Sequence, residues 1–319
     1  MLSFTGLRNL FGELSGDATS TNLTLADTLI NESIRTIATK RGGKWWWLEG
    51  TKDVDTVASQ QGYEIPNSIR KLVDLYVTVG TAVYSPEAVE DPARWKEVLQ
   101  GQLGTGDTPL FYYRVGNKIL LAPTPATAGS TITFRGRLNV RDLNIADYTT
   151  GSIVSIANGA TAIVGTGTTF TADMVGRFMR ITQTSAALGG DGLWYEIGSY
   201  TSATKIGLLK PYEGTTIAAA TASYTLGQVP LIPESYQMAP VYRSLALYWT
   251  IKENLARART YWMLYDGGVE AGLATTVGGL VGQMLQESAE KIEGAYMSPF
   301  GSQNNYIDPN IPPPLATGF

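Results

Sequence analysis

The sequence predicts an α+β fold: a helical core with a small antiparallel sheet, discontinuous along the chain, plus an inserted all-β module of sandwich or barrel type. Three observations predict it. Apolar residues recur at helical spacing near both ends, over residues 24–40 and 234–258. Alternating runs separated by turn residues fill 111–138. Between these regions, residues 149–228 are dense in Thr, Gly, Ser and Ala, with short alternating runs such as Ile153-Val154-Ser155-Ile156 and Phe178-Met179-Arg180-Ile181.

The elements follow in order. Leu2, Phe4, Leu7, Leu10, Phe11 and Leu14 suggest a short amphipathic turn, but the polar stretch after it reads as a frayed end. Residues 1–22 are therefore expected to be an N-terminal arm. Thr24 is placed to cap a helix over 24–40, buried through Leu25, Leu29, Ile30, Ile34 and Ile37. Trp45-Trp46-Trp47-Leu48 is a β-prone run, and a short helix is expected near 67–71. Leu72 to Tyr84 reads as strands turning at Gly80, and Pro92 as the first residue of another helix. Gly116-Asn117 joins two strands as a tight hairpin, and Thr131–Leu138 is a third strand. A long helix over 234–258 carries Val241, Leu245, Tyr248, Ile251 and Leu255 on one face, and a second runs over about 260–292. Residues 298–319, with Pro312-Pro313-Pro314, cannot form a core of their own and read as an extended arm. The first and last helices must meet to bury their stripes. The core domain is thus expected over 23–148 and 229–297, with 149–228 inserted.

Composition removes several functions. The chain has 319 residues, 44% of them hydrophobic and 16% charged, which suits a packed core rather than disorder. It has no cysteine and no histidine, so disulfides, thiolate catalysis, imidazole ligands and a Ser-His-Asp triad are excluded. A net charge of −4 gives no overall attraction to nucleic acid. The start Met1-Leu2-Ser3-Phe4 does not look like a signal peptide, and no membrane span is expected.

Few residues suggest chemistry. Trp45, Trp46 and Trp47 could stack on a ligand, but on a strand they would point to opposite faces, which favours core and inter-subunit roles. Tyr112 and Tyr113 join them as inter-subunit candidates. Asp53 with Asp55, or Glu87 with Glu90 and Asp91, could pair as carboxylates, but nothing in the pattern supports catalysis. Gly165-Thr166-Gly167 lacks the Lys-Ser/Thr ending of a phosphate loop and reads as a turn. Arg257 and Arg259 cluster at the end of the long helix. Interaction with the helix dipole explains them, and a basic edge toward DNA is the sharper reading. No cofactor, metal or catalytic residue is expected.

The order of several segments resembles the head-to-tail adaptor (connector) proteins of tailed bacteriophages. These are Leu25-Ala26-Asp27-Thr28-Leu29-Ile30-Asn31-Glu32, the Trp-rich run, Tyr63-Glu64-Ile65-Pro66, and Tyr112-Tyr113-Arg114-Val115-Gly116-Asn117-Lys118-Ile119. Segments such as Val175-Gly176-Arg177 and Pro211-Tyr212-Glu213-Gly214 are similar to β modules found in such proteins. The resemblance covers roughly 23–265. It implies a structural, non-enzymatic virion protein, made in the host cytoplasm, forming a twelve-subunit ring beneath the portal. Its partners would be the portal, the next tail component (nozzle, stopper or tail tube), its own copies, and the DNA passing through. Leu7, Phe11, Tyr306, Ile307, Ile311, Leu315 and Phe319 are then the candidates for contact with portal or tail, and Arg257 and Arg259 for the DNA channel. The alternative is a β-rich tail or adhesion protein binding host-surface glycans through 149–228, with Trp194, Tyr195, Tyr200 and Tyr212 as stacking faces.

Overall fold

The computed structural model describes residues 1–40, 44–101, 105–182, 190–218, 222–267, 279–285 and 287. The fold is α+β. Its largest apolar cluster is contributed mainly by helices. The first of them, α1 (Phe4–Ser15), occupies the expected N-terminal arm, so that expectation is corrected. Ser3 caps it by accepting from the Gly6 amide at 3.1 Å, and Gly16 ends it in the left-handed conformation at φ 73°. Phe4, Leu7 and Phe11 are one or two turns apart and turn inward, which holds the segment down.

Helix α2 (Ser20–Thr39) starts one turn earlier than expected. Thr24 is therefore not a cap but an interior residue whose hydroxyl donates to the Ser20 carbonyl at 3.0 Å. Ala26, Leu29, Ile30, Ile34 and Ile37 form its buried stripe. Arg8 of α1 lies 2.9 Å from the Asp27 carboxylate of α2, yet burial outweighs this partner and pushes the Asp27 pKa up.

The tryptophan run is a single 3-10 turn over Trp46–Leu48 rather than a strand. Trp45 and Trp47 stack across this turn, with centroids 6.0 Å apart, and Trp46 between them is less buried. The strand β1 (Glu49–Asp55) follows. The short helix expected near 67–71 is instead one hydrogen-bonded turn, Ile69 N–H to the Pro66 carbonyl at 2.8 Å, leading into β3 (Ile69–Val79). Leu75 and Val77 are two residues apart, and that period buries them against Ile132 and Phe134.

Two four-stranded sheets share this second cluster. One has the order β1-β8-β3-β4, with β4 (Ala82–Tyr84) and β8 (Thr131–Leu138). The other is β2-β7-β6-β5, from β2 (Gly62–Glu64), β5 (Glu87–Val89), β6 (Phe111–Val115) and β7 (Lys118–Ala122). The hairpin of β6 and β7 turns at Gly116, as its sequence predicts, with φ 58°. Helix α3 (Pro92–Gln100) carries Trp95, which joins Val89 and Ala122 in a smaller cluster with Tyr113 packed on it.

Six further strands form the third sheet, with the order β14-β11-β12-β13-β10-β9. They are β9 (Ser152–Ser155), β10 (Ala162–Thr166), β11 (Phe178–Ile181), β12 (Trp194–Ser202), β13 (Lys205–Leu208) and β14 (Tyr224–Gly227). The sheet curls until its ends meet: Ile153 of β9 exchanges both backbone hydrogen bonds with Ala222, just before β14, at 2.9 Å each. The bridge covers part of the two edges that face each other. Its interior is a separate cluster built from Ile153, Ile163, Phe170, Met179, Ile197, Leu226 and their neighbours. The chain enters and leaves side by side, through a bridge between Tyr148 and Leu226.

The long helix expected over 234–258 is broken. Helix α4 (Met238–Ile251) stops, Glu253 takes a left-handed conformation at φ 58°, and α5 (Leu255–Asp266) begins under an Asn254 cap. Val241, Leu245 and Tyr248 are buried as the stripe requires, while Ile251 and Leu255 at the break are exposed. Residues 280–285 are helical again, and Val281 and Met284 are fully buried in the first cluster. The expected arm 298–319 lies outside the described residues.

Candidate functional site

Among the described residues the exposed apolar and charged side chains gather at a few places on the surface. The break between α4 and α5 is the most exposed of these: residues 250–257 are all exposed, with Ile251 at 59% and Leu255 at 69%. Its geometry follows from three amide bonds that close α4, Lys252 to Tyr248, Glu253 to Thr250 and Asn254 to Trp249, at 2.9, 3.1 and 2.9 Å. The Asn254 side chain then accepts from the Arg257 amide at 3.2 Å. Arg257 and Arg259 therefore stand in the first turns of a new helix, not at the end of an old one. The helix dipole disfavours cations there, so the dipole explanation of these arginines is withdrawn. Arg257 is held instead by the face of Trp249, 4.5 Å from the ring centre, and Lys252 sits 5.6 Å over Tyr248.

Behind this elbow lies a groove of about 650 Å³ between α1, α4 and α5. Leu10 and Leu14 line it from α1, Tyr242 from α4, and Tyr261 and Leu264 from α5, with Glu13 and Arg257 as its charged members. The Tyr242 and Tyr261 rings lie 6.3 Å apart at 33°, and the Tyr261 hydroxyl donates to the Leu14 carbonyl at 3.3 Å. The sequence reading missed this groove, although a signal was present. Phe4, Leu7 and Phe11 satisfy one buried face of α1, and Leu10 with Leu14 form a second, adjacent apolar row that this face does not need.

A smaller cleft of about 460 Å³ separates β3 from β5 and β6, with Leu72, Val73, Glu90 and Tyr112 on its walls. Burial pushes the Tyr112 hydroxyl pKa up, the carboxylates of Asp74 and Glu90 add to this, and Arg114 opposes it. Tyr113 is engaged within the subunit, stacked on Trp95 with centroids 5.5 Å apart.

The other candidates are distributed as follows. Leu7, Phe11 and Trp45 have no exposure and Trp47 has 9%, so the chain's own core takes them, and a surface role for them is corrected. The indole N–H of Trp45 donates to the Ile37 carbonyl at 2.7 Å, which anchors the aromatic pair to α2. Trp46 is half-buried and packs on the same cluster. Tyr306, Ile307, Ile311, Leu315 and Phe319 lie outside the described residues. Of the proposed stacking faces, Tyr195 and Tyr212 are in the barrel interior, Trp194 is covered by Arg180 and donates to the Met1 carbonyl, and Tyr200 remains exposed.

The carboxylates sit in ordinary surface pairings. Asp53 and Asp55 accept from the hydroxyls of Thr133 and Thr131 at 2.7 and 3.3 Å, and Glu87 pairs with Arg94 at 2.7 Å. Among the described residues no cluster of three or more acidic groups could hold a metal, and no helix is long and apolar enough to cross a membrane.

The helices α1 and α2 and both four-stranded sheets form one continuous stretch of sequence, and that stretch carries the match to a known family. Residues 3–156 match the SU10 adaptor protein family. This is a phage head-to-tail adaptor family, structural rather than enzymatic. The match takes in just under half of the chain. It takes in α1, the helix expected to be a loose arm, and ends one residue after β9. No curated protein matches the chain.

Proposed function

We propose that this chain is the head-to-tail adaptor of a tailed phage. It forms a closed ring of twelve copies beneath the portal, joins head to tail, and surrounds the DNA channel. The adaptor family match over 3–156 carries the reading. A ring suits the surfaces: closed cyclic symmetry gives each exposed patch a partner, including the elbow with Ile251 and Leu255 and the Tyr112 cleft. Trp46 and Tyr112 are the surviving inter-subunit candidates. Arg257 and Arg259, on the exposed start of α5, would face the packaged DNA. The barrel is proposed as an inserted module at the ring's periphery, because it has its own apolar interior and joins the rest through paired neighbouring strands. Residues 298–319 would lie on a neighbouring chain, either portal or adaptor.

The test is imaging of the protein bound to portal. Class averages down the assembly axis are expected to show a closed ring with one copy per symmetry unit. A particle map in which this chain is a single asymmetric copy would overturn the proposal.

A further inference from the structure

The groove between α1, α4 and α5 has features that select its occupant. Leu10, Leu14, Met238 and Leu264 give it apolar walls between its polar members, and Tyr242 and Tyr261 add a pair of neighbouring aromatic rings. Proline-rich extended segments dock in aromatic-lined grooves because their backbone is already extended and little ordering entropy is lost. The chain contains such a segment, Pro309 to Leu315, with Ile311 and Leu315 flanking three consecutive prolines. Residues 298–319 carry one charged side chain, Asp308, immediately before it. Arg257, which lines the groove together with Glu13, supplies the opposite charge, so that with the arm seated Arg259 is the arginine that faces the DNA.

The attachment point bears on which groove is filled. Glu287 is fixed by the Tyr236 hydroxyl, which donates to it at 2.7 Å, and the neighbouring Met238 already lines the groove of the same subunit. The chain between Glu287 and Asp308 is therefore much longer than its own groove requires. Fully extended, it reaches about 70 Å. A compact domain of this size is about 50 Å across, so the groove of an adjoining copy is within range.

We infer that the Asp308–Leu315 segment of each copy seats in the α1/α4/α5 groove of the next copy around the ring. This rests on the ring reading and names the acceptor surface for the C-terminal arm. In a closed ring the exchange runs in one direction and leaves no groove empty.

The absence of cysteine in the sequence makes the test direct. Full-length Leu264→Cys and Leu315→Cys proteins are mixed under mild oxidation, and a double variant is treated alone. Leu264 is 44% exposed, so the first change leaves the core intact. The expected result is a disulfide-linked pair in the mixture and a ladder of linked chains in the double variant. Both should fall several-fold when excess peptide spanning 304–319 is added. Thr51→Cys mixed with Leu315→Cys is the surface control and should not link. Links confined to single chains would overturn the inference. So would closed rings without links, which would leave the ring reading standing. A protein that neither links nor forms rings at any concentration, alone or on portals, would overturn both.

Discussion

At the residue scale, the N-terminal segment shows most clearly how burial redistributes roles. Phe11 has no exposure, meets Tyr248 edge-on with centroids 5.5 Å apart, and sits where α1 crosses α4. Phe11→Ala should cost about 3–5 kcal/mol, the usual range for deleting a buried aromatic ring. Chemical denaturation would measure it, and a loss below about 1 kcal/mol would mean that α1 is only loosely attached. Glu253 gives the opposite sign. It adopts φ 58° with a side chain that disfavours the left-handed region. Glu253→Gly should raise stability by about 1 kcal/mol, read as an increase in melting temperature. If the variant melts lower, Glu253 makes a compensating contact at the elbow.

At the element scale, the barrel has its own interior and joins the rest of the fold through the paired strands at Tyr148 and Leu226 and the bond from Trp194 to the Met1 carbonyl. Deleting 150–227 and bridging the gap should leave the helices and both four-stranded sheets intact. Circular dichroism should retain its helical signal, and loss of that signal would show that barrel and helices fold as one unit. Much of this was legible in the sequence. The stripe of α2, the hairpin at Gly116, the helix at Pro92 and the β-rich region are all local patterns that tertiary packing reinforces. The misreadings share one cause, a local pattern overridden by longer-range contacts. Residues 1–22 read as frayed because the sequence does not reveal that Ser3 bonds Asp147 and that the Phe4 amide bonds Gln228. Trp45-Trp46-Trp47 has strand propensity, yet the chain makes a turn there, with Trp45 buried in the helical cluster and its indole tied to the Ile37 carbonyl of α2. The break in the last helix carries no glycine or proline to announce it. The groove was not seen because it brings α1 against α4 and α5, which lie toward the other end of the sequence.

At the scale of the whole molecule, the proposed arm and the folded body should separate cleanly. Truncation after Ala295 keeps Val281, Met284 and Glu287, the last described points of attachment. The truncated protein should melt within a few degrees of the full chain but join heads poorly. If it unfolds instead, the tail belongs to the core of its own subunit. The paired entry and exit of the barrel have a further, mechanical consequence. Tyr148 and Leu226 exchange backbone hydrogen bonds at 2.8 and 2.9 Å, so tension carried along the chain crosses this neck directly. Leu226 belongs to β14, so this path runs along one edge of the barrel, and the five strands beyond it feel the load only through their pairing with β14. A pull applied to the barrel itself meets the neck end-on and opens its two bonds one after the other. Force along the chain would load the Tyr148–Leu226 bridge first, whereas a force applied through the barrel would open that bridge one bond at a time.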